Sequence, residues 1–154
     1  MISKKIAELL KEREFISVAT SSLSGRPNAA PKLILKTEGN FIYLVDYTIG
    51  QTYHNLQVNP HISLSFMDLE SLLGYQINGR VEIISSGPDY DSIIREIEQR
   101  QLDLSIKRVI EGLKKEKSHA NFEVTIPESL VIFKVGIEEI IEISPRGGLK
   151  RERV

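Results

Sequence analysis

Apolar positions along the chain switch period several times, and each switch marks an element. Ile2, Ile6, Leu9 and Leu10 recur at helical spacing behind Ser3, a residue suited to cap a helix, which predicts a short amphipathic helix over 3–14. FISVAT (15–20) is β-rich and runs into a Ser24-Gly25 turn. A second strand follows from Pro27 to Lys36, in which Pro31 is tolerable only at an edge or a bulge. Glu38-Gly39-Asn40 then turns the chain into FIYLVDY (41–47).

Two turns of helix are expected over QTYHNLQVN, opened near Gly50 and stopped by Asn59-Pro60. HISLSFMD (61–68) alternates, with Ile62, Leu64 and Phe66 opposite His61, Ser63 and Ser65. YQINGRVEI (75–83) alternates too, and Gly79 in its middle signals a bulge or a close backbone approach. Ile93, Ile94 and Ile97 mark one later helix, and Ile106, Val109, Ile110 and Leu113 another. A last strand, 130–143, carries Val131, Phe133, Val135 and Ile137 on one face, before a basic tail, PRGGLKRERV. Five or six antiparallel strands with helices as covers indicate an α+β fold, and closing the sheet into a barrel removes its edges. The chain reads as one domain, 1–154, with a helical insertion at about 88–118.

Composition narrows the function classes. Twenty Lys+Arg against 21 Asp+Glu give a net charge of −1, so no global field gathers nucleic acid or anionic lipid. No stretch approaches the run of about 18 apolar residues that a membrane helix needs. Without cysteine, disulfides and thiolate chemistry are excluded, and cytoplasm is the default compartment. His54, His61 and His119 are scattered without metal-ligand spacing, and no G-x-S-x-G elbow or phosphate-binding Gly-rich loop occurs. No metal is expected. The mixed charges of 88–118 read as a solvated face.

Gly50-Gln51-Thr52 opens a predicted helix, where unpaired N–H groups and the dipole favour an anion, although ordinary capping explains the same residues. Lys32 and Lys36 share strand parity but stand about 13 Å apart at ~3.3 Å per residue, so both reach one phosphate only if a bulge intervenes. A solvated strand face is the competing reading of these lysines.

In this order the residues resemble the pyridoxamine 5′-phosphate oxidase-like family of FMN-binding split barrels. The resemblance rests on FISVATSSLSGRPNAAPKLILK, GNFIYLVDY, GQTYHNLQVNPHISLSF and GYQINGRVEII, from about Phe15 to Ile84. It implies a homodimer with two FMN sites at its interface. The phosphate would meet Lys32 or Lys36 with Gln51 and Thr52. Val45, Asp46 and Tyr47 would offer backbone groups to the flavin, and Asn55 would lie near the phosphate. Gln51 stands where many relatives carry Arg or Lys, which weakens the expected grip. The C-terminal Trp and Arg-x-His of the vitamin B6 oxidases have no counterpart in LKRERV, so that reaction is not implied. The implied function is an FMN-dependent oxidoreductase acting on a small molecule, with Tyr47, Tyr53 and His54 candidates by position alone. Alternatives are a flavin carrier or sensor without turnover, and a split barrel holding haem or F420.

Overall fold

The computed structural model describes residues 2–47, 49–100 and 130–154. The chain divides into two compact units, Met1–Ile84 with Ser129–Val154, and Ser85–Glu128. In the second unit residues 88–100 are helical, and the helix expected around Ile106–Leu113 lies outside the described residues. The first unit is built from α1 (Lys4–Lys11), β1 (Phe15–Ser21), β2 (Pro27–Glu38), β3 (Phe41–Asp46), α2 (Gln51–Val58), β4 (His61–Asp68), β5 (Leu73–Ile84), β6 (Val131–Ile143) and β7 (Leu149–Arg153).

The strands form an antiparallel sheet in the order β3-β2-β1-β4-β5-β6-β7, and a further β3–β6 pairing closes six of them into a barrel. Alternation along each strand dictates what lies inside. Ile16 and Val18, Ile42 and Leu44, Ile62 and Leu64, Tyr75 and Ile77, and Val131, Phe133 and Val135 point to the common interior and are buried. Each such aliphatic or aromatic side chain removed from water stabilises the fold by about 1.5–3 kcal/mol. The expected split-barrel α+β fold is the observed one.

α1 is too short to persist alone. Ser3 Oγ accepts from the Ile6 N–H, and Ile2, Ile6 and Leu10 are buried in the barrel core, so packing holds it.

Two irregularities shape the wall. In β2, Ile34 pairs with Leu44 but Lys36 pairs with Tyr43, so Leu35 is an extra residue and the parity reverses there. Between β5 and β6, Asn78 pairs with Glu139 and Gly79 with Ile137, which makes Glu138 the bulged residue. A Cβ on Gly79 would lie 2.2 Å from the Gly136 carbonyl oxygen, so glycine is required. The sequence expected either a bulge or a close approach at Gly79; both occur.

The first half of β2 is an edge, because β3 begins its pairing at Leu33. Ile34 N–H donates to the Glu14 carbonyl on the β1 side, and by alternation the odd-numbered positions face the open edge. Two of these are Pro27 and Pro31, which lack an N–H to offer a further strand.

Candidate functional site

α2 caps the barrel end where β1 finishes and β2 begins, packing on β1, β2 and β5. Ile49, just before it, has φ 43°, a left-handed conformation that costs a β-branched residue roughly 1–3 kcal/mol. Gly50 is the N-cap and contributes no side-chain hydrogen bond; the first turn carries no acidic residue. The first helical bond runs from the His54 N–H to the Gly50 carbonyl, 3.2 Å. The N–H groups of the first turn therefore lack helical acceptors, and the space where a Gly50 Cβ would stand is open to 4 Å. This is a geometry that accepts an anion.

Beneath α2 lies a polar layer inside the barrel. Thr52, Asn55 and Leu56 form the buried face of the helix. Asn28 Nδ2 donates to Thr52 Oγ1 (3.0 Å). Gln51 Nε2 donates to Asn55 Oδ1 (2.8 Å), and Asn55 Nδ2 to Thr20 Oγ1 (3.1 Å). Asn59 Nδ2 ties the end of the helix to the Ser21 carbonyl at 3.1 Å. Thr52 and Asn55, expected beside a phosphate, thus direct their side chains to the barrel interior, and each is 2% exposed.

The two lysines part company. Lys32 lies on the inward parity with Ile34, is 7% exposed, and its Nζ donates to Asp46 Oδ1 at 2.7 Å. Lys36 follows the Leu35 bulge, pairs with Tyr43 on the outer parity, and sets its ammonium 5.2 Å from the Tyr43 ring centroid. The expectation that they share a face is corrected: the bulge turns them to opposite faces of the sheet. Val45 is buried between Leu33 and Ile132, flanked by strands on both sides, while Tyr47 is half-buried beyond the end of β3.

Thr20 and Asn28 escaped the sequence reading. The signal was present in strand parity: Thr20 continues the inward set Ile16, Val18, and Asn28 shares the parity of Lys32. A polar residue on an apolar face is easily taken for a strand end.

The family model described as pyridoxamine 5′-phosphate oxidase matches residues 2–140. A pyridoxine/pyridoxamine 5′-phosphate oxidase of Burkholderia vietnamiensis is 34% identical over 82 residues, which is 53% of this chain and 38% of that protein. The chain thus spans well under half of that curated relative. The crystal structure of HupZ from Group A Streptococcus superposes with a TM-score of 0.65 at 24% identity, covering 97% of this chain and 99% of the other. A pyridoxamine 5′-phosphate oxidase-related, FMN binding protein of Nostoc punctiforme superposes with a TM-score of 0.62 at 11% identity, covering 100% and 98%. These likenesses establish the shared fold, and with the match over 2–140 this chain belongs to the pyridoxamine 5′-phosphate oxidase family.

Proposed function

We propose that this protein binds FMN at an interface between two copies of itself, the flavin phosphate at the start of α2, and works as a flavin-dependent oxidoreductase on a small substrate. The observation that carries the reading is the uncapped, acid-free first turn of α2 behind Gly50 in a member of this family. The Nostoc neighbour's description as FMN binding supports the same cofactor here.

The residues present fit the group in a particular way. Backbone N–H groups of the first α2 turn would hold phosphate oxygens, with Gln51 beside them, whereas Lys36, eight residues along β2 from the Asn28 that meets Thr52, would offer its charge only to a more distant part of the cofactor. Thr52, Asn55, Asn28 and Thr20 would act from below, fixing the helix start through their mutual hydrogen bonds. Lys32 would serve Asp46 and the end of β3 rather than the phosphate. FMN, when bound, supplies the hydride and electron chemistry; the protein positions it and tunes its surroundings. A cytoplasmic setting belongs to the same proposal and rests on the lack of cysteine.

Titrating the purified chain with FMN, followed by quenching of flavin fluorescence, tests the reading. Saturable binding with one flavin per chain, by a species whose solution mass is that of a dimer, is expected. Folded protein that shows no saturable association with excess FMN overturns it. Steady-state reduction by NADH or NADPH then separates an oxidoreductase from a carrier.

A further inference from the structure

The side chains that the sequence puts nearest an anion at the start of α2 are committed elsewhere. Gln51 is exposed, yet its Nε2 donates along the helix to Asn55 Oδ1 at 2.8 Å. Asn55 in turn donates to Thr20 Oγ1 inside the barrel, and Thr52 Oγ1 accepts from Asn28 on the same side. Lys32 is buried with its ammonium 2.7 Å from Asp46 Oδ1. The His54 ring meets Tyr53 edge-on, with centroids 5.7 Å apart. Lys36 stands roughly 25 Å of strand from Asn28 and sets its charge over the Tyr43 ring.

The bond made by Gln51 is not readily exchanged for one to a phosphate. Its amide is neutral and carries two N–H donors and one acceptor oxygen. Swinging it outward takes a donor from Asn55, a residue only 2% exposed. Stranding a buried acceptor costs about as much as a new hydrogen bond to a charged group returns, so the move gains little. The grip on an anion is then left to backbone N–H groups and the dipole of a two-turn helix. Charge-assisted hydrogen bonds are roughly twice as strong as neutral ones, and affinity differences between related complexes reside mostly in the rate of leaving.

From the inward bonding of Gln51, Thr52, Asn55 and Lys32 we infer that this chain holds FMN as an exchanging ligand, taken up from solution and released within seconds, and that Gln51 is the residue that sets the exchange. The inference rests on the flavin reading and deepens it: FMN is a diffusible ligand of this protein instead of a resident group.

The test uses the full chain with FMN and riboflavin as probes, which share the ring and ribityl chain and differ in the phosphate. Desalting should strip added FMN from the parent. Rapid dilution of the complex should restore flavin fluorescence at about 1 s⁻¹, the rate that micromolar affinity and association at about 10⁶ M⁻¹ s⁻¹ imply. Gln51→Arg, with Gln51→Lys as a second variant, should tighten FMN about tenfold or more by slowing that release. Riboflavin affinity, which also reports that each variant is folded, should stay at the parent's value. FMN that survives repeated desalting of the parent, unchanged FMN affinity in both variants, or an equal gain for riboflavin overturns the inference and leaves the flavin reading in place. Folded parent that saturates with neither probe overturns the flavin reading, and this inference with it.

Discussion

Replacing Asp46 with Asn neutralises half of a buried ion pair. Lys32 Nζ and Asp46 Oδ1 are 2.7 Å apart, with side chains 7% and 1% exposed. At an effective dielectric constant of about 20, that separation corresponds to about 6 kcal/mol of attraction. Desolvating the two ions costs several kcal/mol each, so the intact pair contributes little net stability. Removing one partner is different, because it leaves the other charge buried, at a cost of about 3–5 kcal/mol. Asp46→Asn and Lys32→Met should each lower Tm by roughly 6–20 °C, at about 2–4 °C per kcal/mol for a chain of this size. The double variant, Lys32→Met with Asp46→Asn, should recover most of that loss, since it buries no charge. Urea denaturation of all four proteins, followed by far-UV circular dichroism, closes the cycle. A single Asp46→Asn variant within about 1 kcal/mol of the parent would refute the reasoning, and so would a double variant that loses the sum of the two singles. The folded double variant also reports on function: undiminished FMN affinity identifies the Lys32–Asp46 pair as an internal strut, whereas a marked loss shows that the pair contributes to the cofactor site.

Further outcomes follow from single features. Gly50→Asp supplies the missing helix cap, so stability should rise by a few tenths of a kcal/mol, while FMN affinity falls about tenfold or more because the new carboxylate faces the phosphate; parallel thermal melts and flavin titrations reveal whether the two move oppositely. Gly79→Ala drives a Cβ into the Gly136 carbonyl, and a loss of at least about 3 kcal/mol in urea midpoint stability is expected. Removing residues 149–154 uncovers the β6 edge from Glu139 to Ile143, so size-exclusion chromatography should show association that the parent lacks. Asp68 accepts hydrogen bonds from Ser71 Oγ and the Glu70 N–H, and chiefly the Ser71 bond holds its carboxyl below the usual carboxylate value. A depressed carboxyl contributes stability above its unfolded value and loses it as pH falls through the folded one, so Asp68→Asn should flatten the acid limb of the stability–pH curve by lowering stability slightly at neutral pH while leaving the acid end unchanged.

Strand parity made much of the barrel legible. Ile62 and Leu64, Tyr75 and Ile77, and the β6 series are inside as their alternation predicts, because a strand with one buried face repeats every second residue. Gly79 was legible because a glycine mid-strand needs a reason. The Leu35 bulge was not: Leu33-Ile34-Leu35 is uniformly apolar, and such a run conceals which residue is extra. That hidden residue decides which lysine faces the interior. β7 also escaped, since all five of its residues are exposed and a solvated basic segment carries no alternation to read. At α2 the G-x-T signal located the helix start correctly. It did not reveal that Thr52 faces inward, because in a two-turn helix the buried face is chosen by what lies beneath it.

One edge of β6 is served by two strands in succession. β3 covers Val131 to Gly136, β7 covers Glu139 to Ile143, and the handover is stitched by Ile137 N–H to the Asn40 carbonyl and Val154 N–H to the Glu138 carbonyl. Closure of the barrel is thereby uncoupled from whatever is attached at its far end. Appendages can be exchanged or lengthened beyond Ile143 without unzipping the β3 seam, which gives this architecture a place to vary its specificity while its core stays shut.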